Sequence, residues 1–266
     1  MNTARPWYER YQLALLLLFG ILSAVWLAFT PPGLLGKADA VGYAVCHRIA
    51  ERSFLLGDRA LPLCSRCSGM YLGALVGFVF QAFLGRRGEL PTRRIQWMFG
   101  LFLLAFAIDG INSYLTFFPQ APGLYVPQNG LRLLTGTLLG TGIAAYLMPT
   151  FHQIIWQQWQ DRPALTSFRQ LFLILAAAGL IAAAIASENP ILVYPLALLS
   201  VLSLLTILVL AYTMIWVMLL KRENSFEGWK QLQPFLLLAM ITTLVQIGLI
   251  DAGRFLLTGT WAGFTL

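Results

Sequence analysis

Seven apolar runs, each about as long as a membrane is thick, constrain this chain more than any other feature. A hydrocarbon core about 30 Å thick needs about 20 mostly apolar residues of helix to cross it. Runs of that kind fall at residues 13–29, 68–84, 95–118, 131–148, 171–187, 191–220 and 234–257. Between them stand "TPPGLLG", "GRRGELPTRR", "PQAPGLYVPQNG", "QDRPALTS", "SENP" and "KRENSFEG", where Pro, Gly and charge collect. Only 11% of the 266 residues are charged and 58% are hydrophobic. A water-soluble domain carries roughly 25% charged residues, so this chain lacks a polar coat and lipid is its solvent. The expectation is an all-α polytopic transmembrane helix bundle of about seven helices. The first run is long enough to span and no small-residue cleavage pattern follows it, so no cleavable signal is expected.

The net charge of +7 does not mark a nucleic-acid partner, because the basic residues are scattered among apolar segments. In a membrane protein such an excess records topology. Arg5, Arg10, Arg86, Arg87, Arg93, Arg94, Arg162, Arg169, Lys221, Arg222 and Lys230 fall on one side, eleven in all. The other side has seven: Lys37, Arg48, Arg52, Arg59 and Arg66 in the loop 31–67, plus Arg132 and Arg254. The count places the N-terminus in the cytoplasm and the loop on the extracytoplasmic face of the membrane. "FHQIIWQQWQ" (151–160) then reads as an interfacial cytoplasmic helix whose Trp156 and Trp159 lie at headgroup depth. His152 there is given no chemical role.

Charged residues inside spans cost roughly 2.5–3.5 kcal/mol each at a helix centre, which makes them functional suspects. They are Asp109 in "AIDGINSYL", with Asn112 three residues on, Arg132 in "NGLRLLTG", and Asp251 and Arg254 in "LIDAGRFLL". All fall toward the end of the bundle that carries the loop. Asp109 with Arg132, and Asp251 with Arg254, are the candidate ion pairs, and a polar pocket opening outward follows either way. Gly69, Gly73 and Gly77, and likewise Gly136 and Gly140, recur four apart, a spacing that lets helix backbones approach closely.

The loop holds every cysteine of the chain. Cys64 and Cys67 form "CSRC" just before the second run; Cys46 and His47 lie eighteen and seventeen residues earlier. A C-x-x-C with a distant Cys or His is how a chain assembles a tetrahedral metal site. The expected ligands are Cys46, His47, Cys64 and Cys67 around one ion, zinc first, iron or copper next. Adjacent residues such as Cys46 and His47 rarely point at one ion, so Asp109 or a water is the alternative fourth ligand. The competing reading is thiol–disulfide exchange. A C-x-x-C at a helix N-terminus has a lowered thiol pKa, to which Arg66 would add. That chemistry asks for a quinone or thiol partner. No haem attachment motif is present, since Ser68 follows "CSRC".

The stretch "VCHRIAERSF…LPLCSRCSGMYLG" resembles the signature of a family of prokaryotic membrane proteins catalogued as domain of unknown function 2085. The correspondence falls on Cys46, His47, Arg52, Ser53, Phe54, Pro62, Leu63, Cys64, Arg66, Cys67, Gly69, Tyr71 and Gly73. It continues with an intramembrane Asp-Gly, at Asp109 and Gly110. It ends on Asn129, Leu131, Arg132, Thr135 and Gly136. It covers roughly residues 40–148 and implies a compact four-helix unit (1–148, with the loop at 31–67) in which the cysteines, Asp109 and Arg132 form one constellation. Residues 149–266 depart from the pattern and read as a three-helix extension. The resemblance brings no activity with it.

Three functional classes follow. The first is a metal centre supported by Arg52, Arg66, Asp109, Asn112 and Arg132, with Asp251 and Arg254 nearby. The second is a membrane thiol–disulfide oxidoreductase. The third is a non-catalytic subunit of a larger membrane complex, or a transporter. No phosphate loop, dinucleotide fingerprint or G-x-S-x-G elbow occurs.

Overall fold

A computed structural model describes residues 11–118 and 123–264. Among them are eight α-helices: α1 (Gln12–Phe29), α2 (Gly33–Val45), α3 (Ser65–Ala82), α4 (Arg93–Leu115), α5 (Asn129–Ile155), α6 (Phe168–Ala186), α7 (Pro190–Leu219) and α8 (Trp229–Thr258). Each apolar run is a helix, and the all-α bundle is as expected. Six helices, α1 and α4 to α8, are long and apolar enough to cross a membrane by length and composition. The remaining run, 68–84, lies in α3, which begins with the polar "SRCSG" turn. The additional helix is α2, thirteen residues within the segment read as a loop. Its Ala38, Ala40, Val41, Gly42 and Tyr43 are buried, because it folds back against α7 and α8.

Two strand pairs close the ends. Near the cysteines, β1 (Leu55–Leu56) pairs antiparallel with β2 (Arg59–Ala60). Gly57 supplies the positive φ of 62° that the turn needs. At the other end β3 (Arg87–Glu89) pairs parallel with β4 (Gln160–Pro163). "FHQIIW" is not a surface helix. It continues α5 as far as Ile155, and Phe151 and Trp156, each 1% exposed, join a buried cluster with Phe226 and Phe235. His152 is likewise buried, with Nδ1 2.9 Å from the Arg87 carbonyl. Aromatic rings there pack better against the α7–α8 connection than at a headgroup surface. Helix α5 therefore passes unbroken through residue 148, where the four-helix unit and the extension were expected to meet.

The closest helix pair is α3 with α5. A methyl group on Gly69 would collide with the Leu133 carbonyl, and one on Gly73 with that of Thr137. In the reverse direction, Gly136 faces the Arg66 carbonyl and Gly140 that of Met70. The two backbones interlock over two turns, as the glycine spacing foretold. Gly140→Val is expected to destabilise the bundle by roughly 1–3 kcal/mol through overpacking. Gly179→Ala, on α6 with open space around it, should leave unfolding in a denaturing-detergent titration unchanged.

Candidate metal centre

Cys46 ends α2 and Cys64 precedes α3, so the cluster forms where two helix ends meet. Their approach depends on Gly42, which lies against the Pro62 carbonyl with no room for a side chain. Donor atoms of Cys46, His47 and Cys64 lie within 4.8 Å of one another. The Cys67 thiol interacts electrostatically with those of Cys46 and Cys64. All three cysteines are free, and Cys46 and Cys64 are buried. Cys46, His47 and Cys64, three of the four residues expected to share one site, are brought together, while the Cys67 donor lies outside that group.

The chain turns sharply after His47. Arg48 has φ 53°, in the left-handed region a non-glycine residue seldom occupies. The turn lets neighbouring Cys46 and His47 face one point, and it places the Ile49 N–H 2.9 Å from His47 Nδ1, to which it donates. A neutral ring accepting at Nδ1 carries its proton on Nε2. His47 as placed thus offers a donor to the sulfurs, and coordination through either nitrogen requires the Ile49 contact to be given up or the proton to move. The thiols are the better-prepared ligands.

Cys46 is the acceptor of the cluster. Thiol hydrogen bonds from Cys64 and Cys67 hold its pKa well below the ordinary thiol value against the effect of burial, and the backbone N–H groups of Arg48 and Cys64 add to this. The Cys64 N–H lies 3.4 Å from Cys46 Sγ. Cys64 in turn is raised, because it donates to Cys46. Burial lowers the His47 pKa, helped by Arg52, Arg132 and Arg66, while Cys46 opposes it. The imidazole is therefore neutral at pH 7.

Beside the sulfurs runs a polar face of α4. Asp109 does not pair with Arg132. Its partner is Arg66, whose Nε donates to Oδ2 at 3.1 Å and whose Nη2 also binds that oxygen and the Asp109 carbonyl. Tyr125 donates to Oδ1 at 2.9 Å and Thr135 Oγ1 lies 3.4 Å from Oδ2. With both oxygens engaged, Asp109 is not a ligand to the sulfur site. Arg132 instead donates to Ser113 Oγ at 3.3 Å and Asn129 Oδ1 at 2.9 Å. Arg66 reaches Asp109 by extending its side chain from the first turn of α3 across to α4. Asn112 serves the backbone: it accepts from the Leu124 N–H and donates to the Tyr125 carbonyl. Arg52 donates to Thr116 Oγ1 at 2.9 Å, with its guanidinium 4.2 Å above the Phe117 ring.

Asp251 and Arg254 do not pair either. Asp251 Oδ2 accepts from Trp26 Nε1 at 3.0 Å, which ties α8 to α1. Arg254 reaches the other way and donates to the carbonyls of Tyr43 at 2.6 Å and Cys46 at 2.8 Å. Those carbonyls end α2 and have no partner within the helix, so a cation there completes the hydrogen bonding and meets the negative end of the helix dipole. Sequence reasoning missed Ser113, Thr116 and Tyr125 here, and Asp39, which pairs with Arg48 and Arg59. The one available signal was polar spacing in an apolar helix: Asp109, Ser113 and Thr116 stand at i, i+4 and i+7, one face of α4.

Residues 46–146 match the family described as "Predicted membrane protein (DUF2085)". An uncharacterised protein of Methanothermobacter thermautotrophicus is 34% identical over 111 residues, 42% of this chain and 91% of the relative. The chain belongs to this family. A second uncharacterised protein, from Methanocaldococcus jannaschii, is 29% identical over 121 residues, 46% of this chain and 72% of the relative. No solved structure matches. The matched span of this DUF2085 protein begins at Cys46 and includes the cysteines, Asp109 and Arg132; α6, α7 and α8 lie beyond it.

Asp109→Asn leaves Arg66 without its counter-charge in a buried setting, a loss on the order of 3–5 kcal/mol. Asp251→Asn keeps an acceptor for Trp26 and should cost about 1 kcal/mol or less. Unfolding midpoints of the two variants compared with the parent check the ordering.

Proposed function

We propose that this protein holds one transition-metal ion at the end of the bundle through Cys46, Cys64 and Cys67, with a fourth position taken by His47 or by water. The observation that supports this most is that donors of Cys46, His47 and Cys64 lie within 4.8 Å of one another, with the Cys67 thiol interacting with both of the other sulfurs. Tetrahedral zinc with Zn–S near 2.3 Å sets its sulfurs about 3.8 Å apart, and the donor spacing here accommodates that. Three thiolates in an N/S set select zinc first, with iron or copper next. Backbone N–H groups directed at sulfur, and the three arginines nearby, favour the anionic thiolate that coordination requires. On the arginine and lysine count, the site faces the extracytoplasmic side of a prokaryotic inner membrane.

Thiol exchange is the second reading, favoured by the depressed Cys46 pKa. Joining two thiols as a disulfide releases two protons and two electrons, which a quinone would take up as hydroquinone. An apolar groove of about 560 Å³ between α1 and α8, with Trp26, Trp261 and Asp251 on its wall, is where such an acceptor would lie. Burial of Cys46 and Cys64 argues against attack by a protein partner, so the metal reading stands first.

Elemental analysis of anaerobically purified protein, with thiols counted on the same sample, tests the two. One metal per chain is expected, with its content falling at least tenfold in Cys67→Ser. Metal-free protein holding one disulfide and one free thiol would reverse the order.

A further inference from the structure

Three guanidinium groups lie together beside the sulfur cluster, with one carboxylate among them. Arg66 and Arg132 donate to the same hydroxyl, Ser113 Oγ, at 3.0 and 3.3 Å. Arg52 donates to Thr116 Oγ1, three residues further along that face of α4. Asn129 bridges the group. Its Oδ1 accepts from Arg132, and its Nδ2 donates to the carbonyls of Glu51 and Ser53, on either side of Arg52, at 3.1 and 3.3 Å. Arg52 and Arg132 are each only 7% exposed.

Their hydrogen bonding is incomplete. A guanidinium offers five N–H donors in a fixed fork. Among the described residues Arg132 uses Nε and Nη1, and Arg52 uses Nη2 alone. Arg132 Nη2 and Arg52 Nε and Nη1 make no hydrogen bond among the described residues. The charges do not balance either. Asp109 offsets Arg66. Among the described residues neither Arg52 nor Arg132 has a carboxylate partner, and Glu51 is exposed to water, where it offsets little.

We propose that Arg52 and Arg132 together bind a phosphate group, held by the guanidinium N–H groups that the protein leaves free. Paired arginine forks match the tetrahedral oxyanion, which can accept from both at once. A planar carboxylate would satisfy one fork and leave the other open. Arg132 stands in the first turn of the 27-residue helix α5, whose positive dipole end favours the same ligand. The phosphate comes from a lipid headgroup or from solution, and its site adjoins the sulfur cluster without depending on a metal there.

Full-length protein in detergent, metal-loaded and metal-stripped, is titrated calorimetrically with inorganic phosphate against chloride at equal ionic strength. Native mass spectrometry on the same preparation looks for retained phosphatidate. The variants are Arg52→Gln, Arg132→Gln and, as control, Arg86→Gln, which stacks on Trp156 at the opposite end. Phosphate binding weakened at least tenfold in the first two and unchanged in the control supports a soluble ligand. Phosphatidate that co-purifies and is lost in those variants supports a lipid headgroup. Should either variant fail to fold, the parent protein alone decides: a phosphate-dependent rise in its melting temperature, or a retained phospholipid, is expected. Absence of both, or equal binding in the Gln variants, overturns the proposal. Equal affinity with and without metal separates this result from the fate of the metal reading.

Discussion

Helices α3 and α5 lie backbone to backbone, and the arrangement of the cysteine end follows from that contact. Side chains at Gly69, Gly73, Gly136 or Gly140 would hold the helices apart. Gly136 meets the Arg66 carbonyl, so the contact reaches into the "CSRC" turn itself. Because α5 sits so close there, Arg66 extends past it to α4 and takes Asp109, while Arg132, in the first turn of α5, comes to rest on Ser113. In lipid there is no hydrophobic gain from pressing helices together, and small residues supply close packing in its place.

The same end gathers polar groups that would be costly anywhere else in the bundle. Several are satisfied by a neighbour from a different segment: Asp109 by Arg66, Tyr125 and Thr135, and the open carbonyls of α2 by Arg254. The C-terminal segment closes over the result. Tyr43 donates to the Thr260 carbonyl, Arg48 to that of Trp261, and the Phe264 N–H binds the His47 carbonyl. The end of α8 and the segment after it, outside the matched family region, thereby support the Cys-His turn directly. Arg254→Gln should expose Cys46 to alkylating reagents faster than the parent does, whatever the cluster holds.

Much of this was legible in the sequence. Run length and the lack of charge specify the helices, glycine spacing specifies the α3–α5 seam, and the cysteine spacing specifies the cluster. Partner choice was not legible. Asp109 with Arg132, and Asp251 with Arg254, are the pairs suggested by nearby helix ends. The real partners are set by which backbones touch, and that depends on Gly136 and on the folding back of α2. Helix α2 itself was hidden because thirteen residues are too few to read as a span, and its GLLGKADAVGYAV sequence is only mildly apolar. Trp156 and His152 were misplaced because aromatic residues at a helix end look alike whether they meet headgroups or the next helix.

The central claim is that three sulfurs meet at one ion. X-ray absorption at the edge of the metal in anaerobically purified protein tests it most directly. Three sulfur scatterers near about 2.3 Å with one nitrogen or oxygen are predicted for zinc. A shell made only of nitrogen and oxygen, or no metal edge above background, would contradict it.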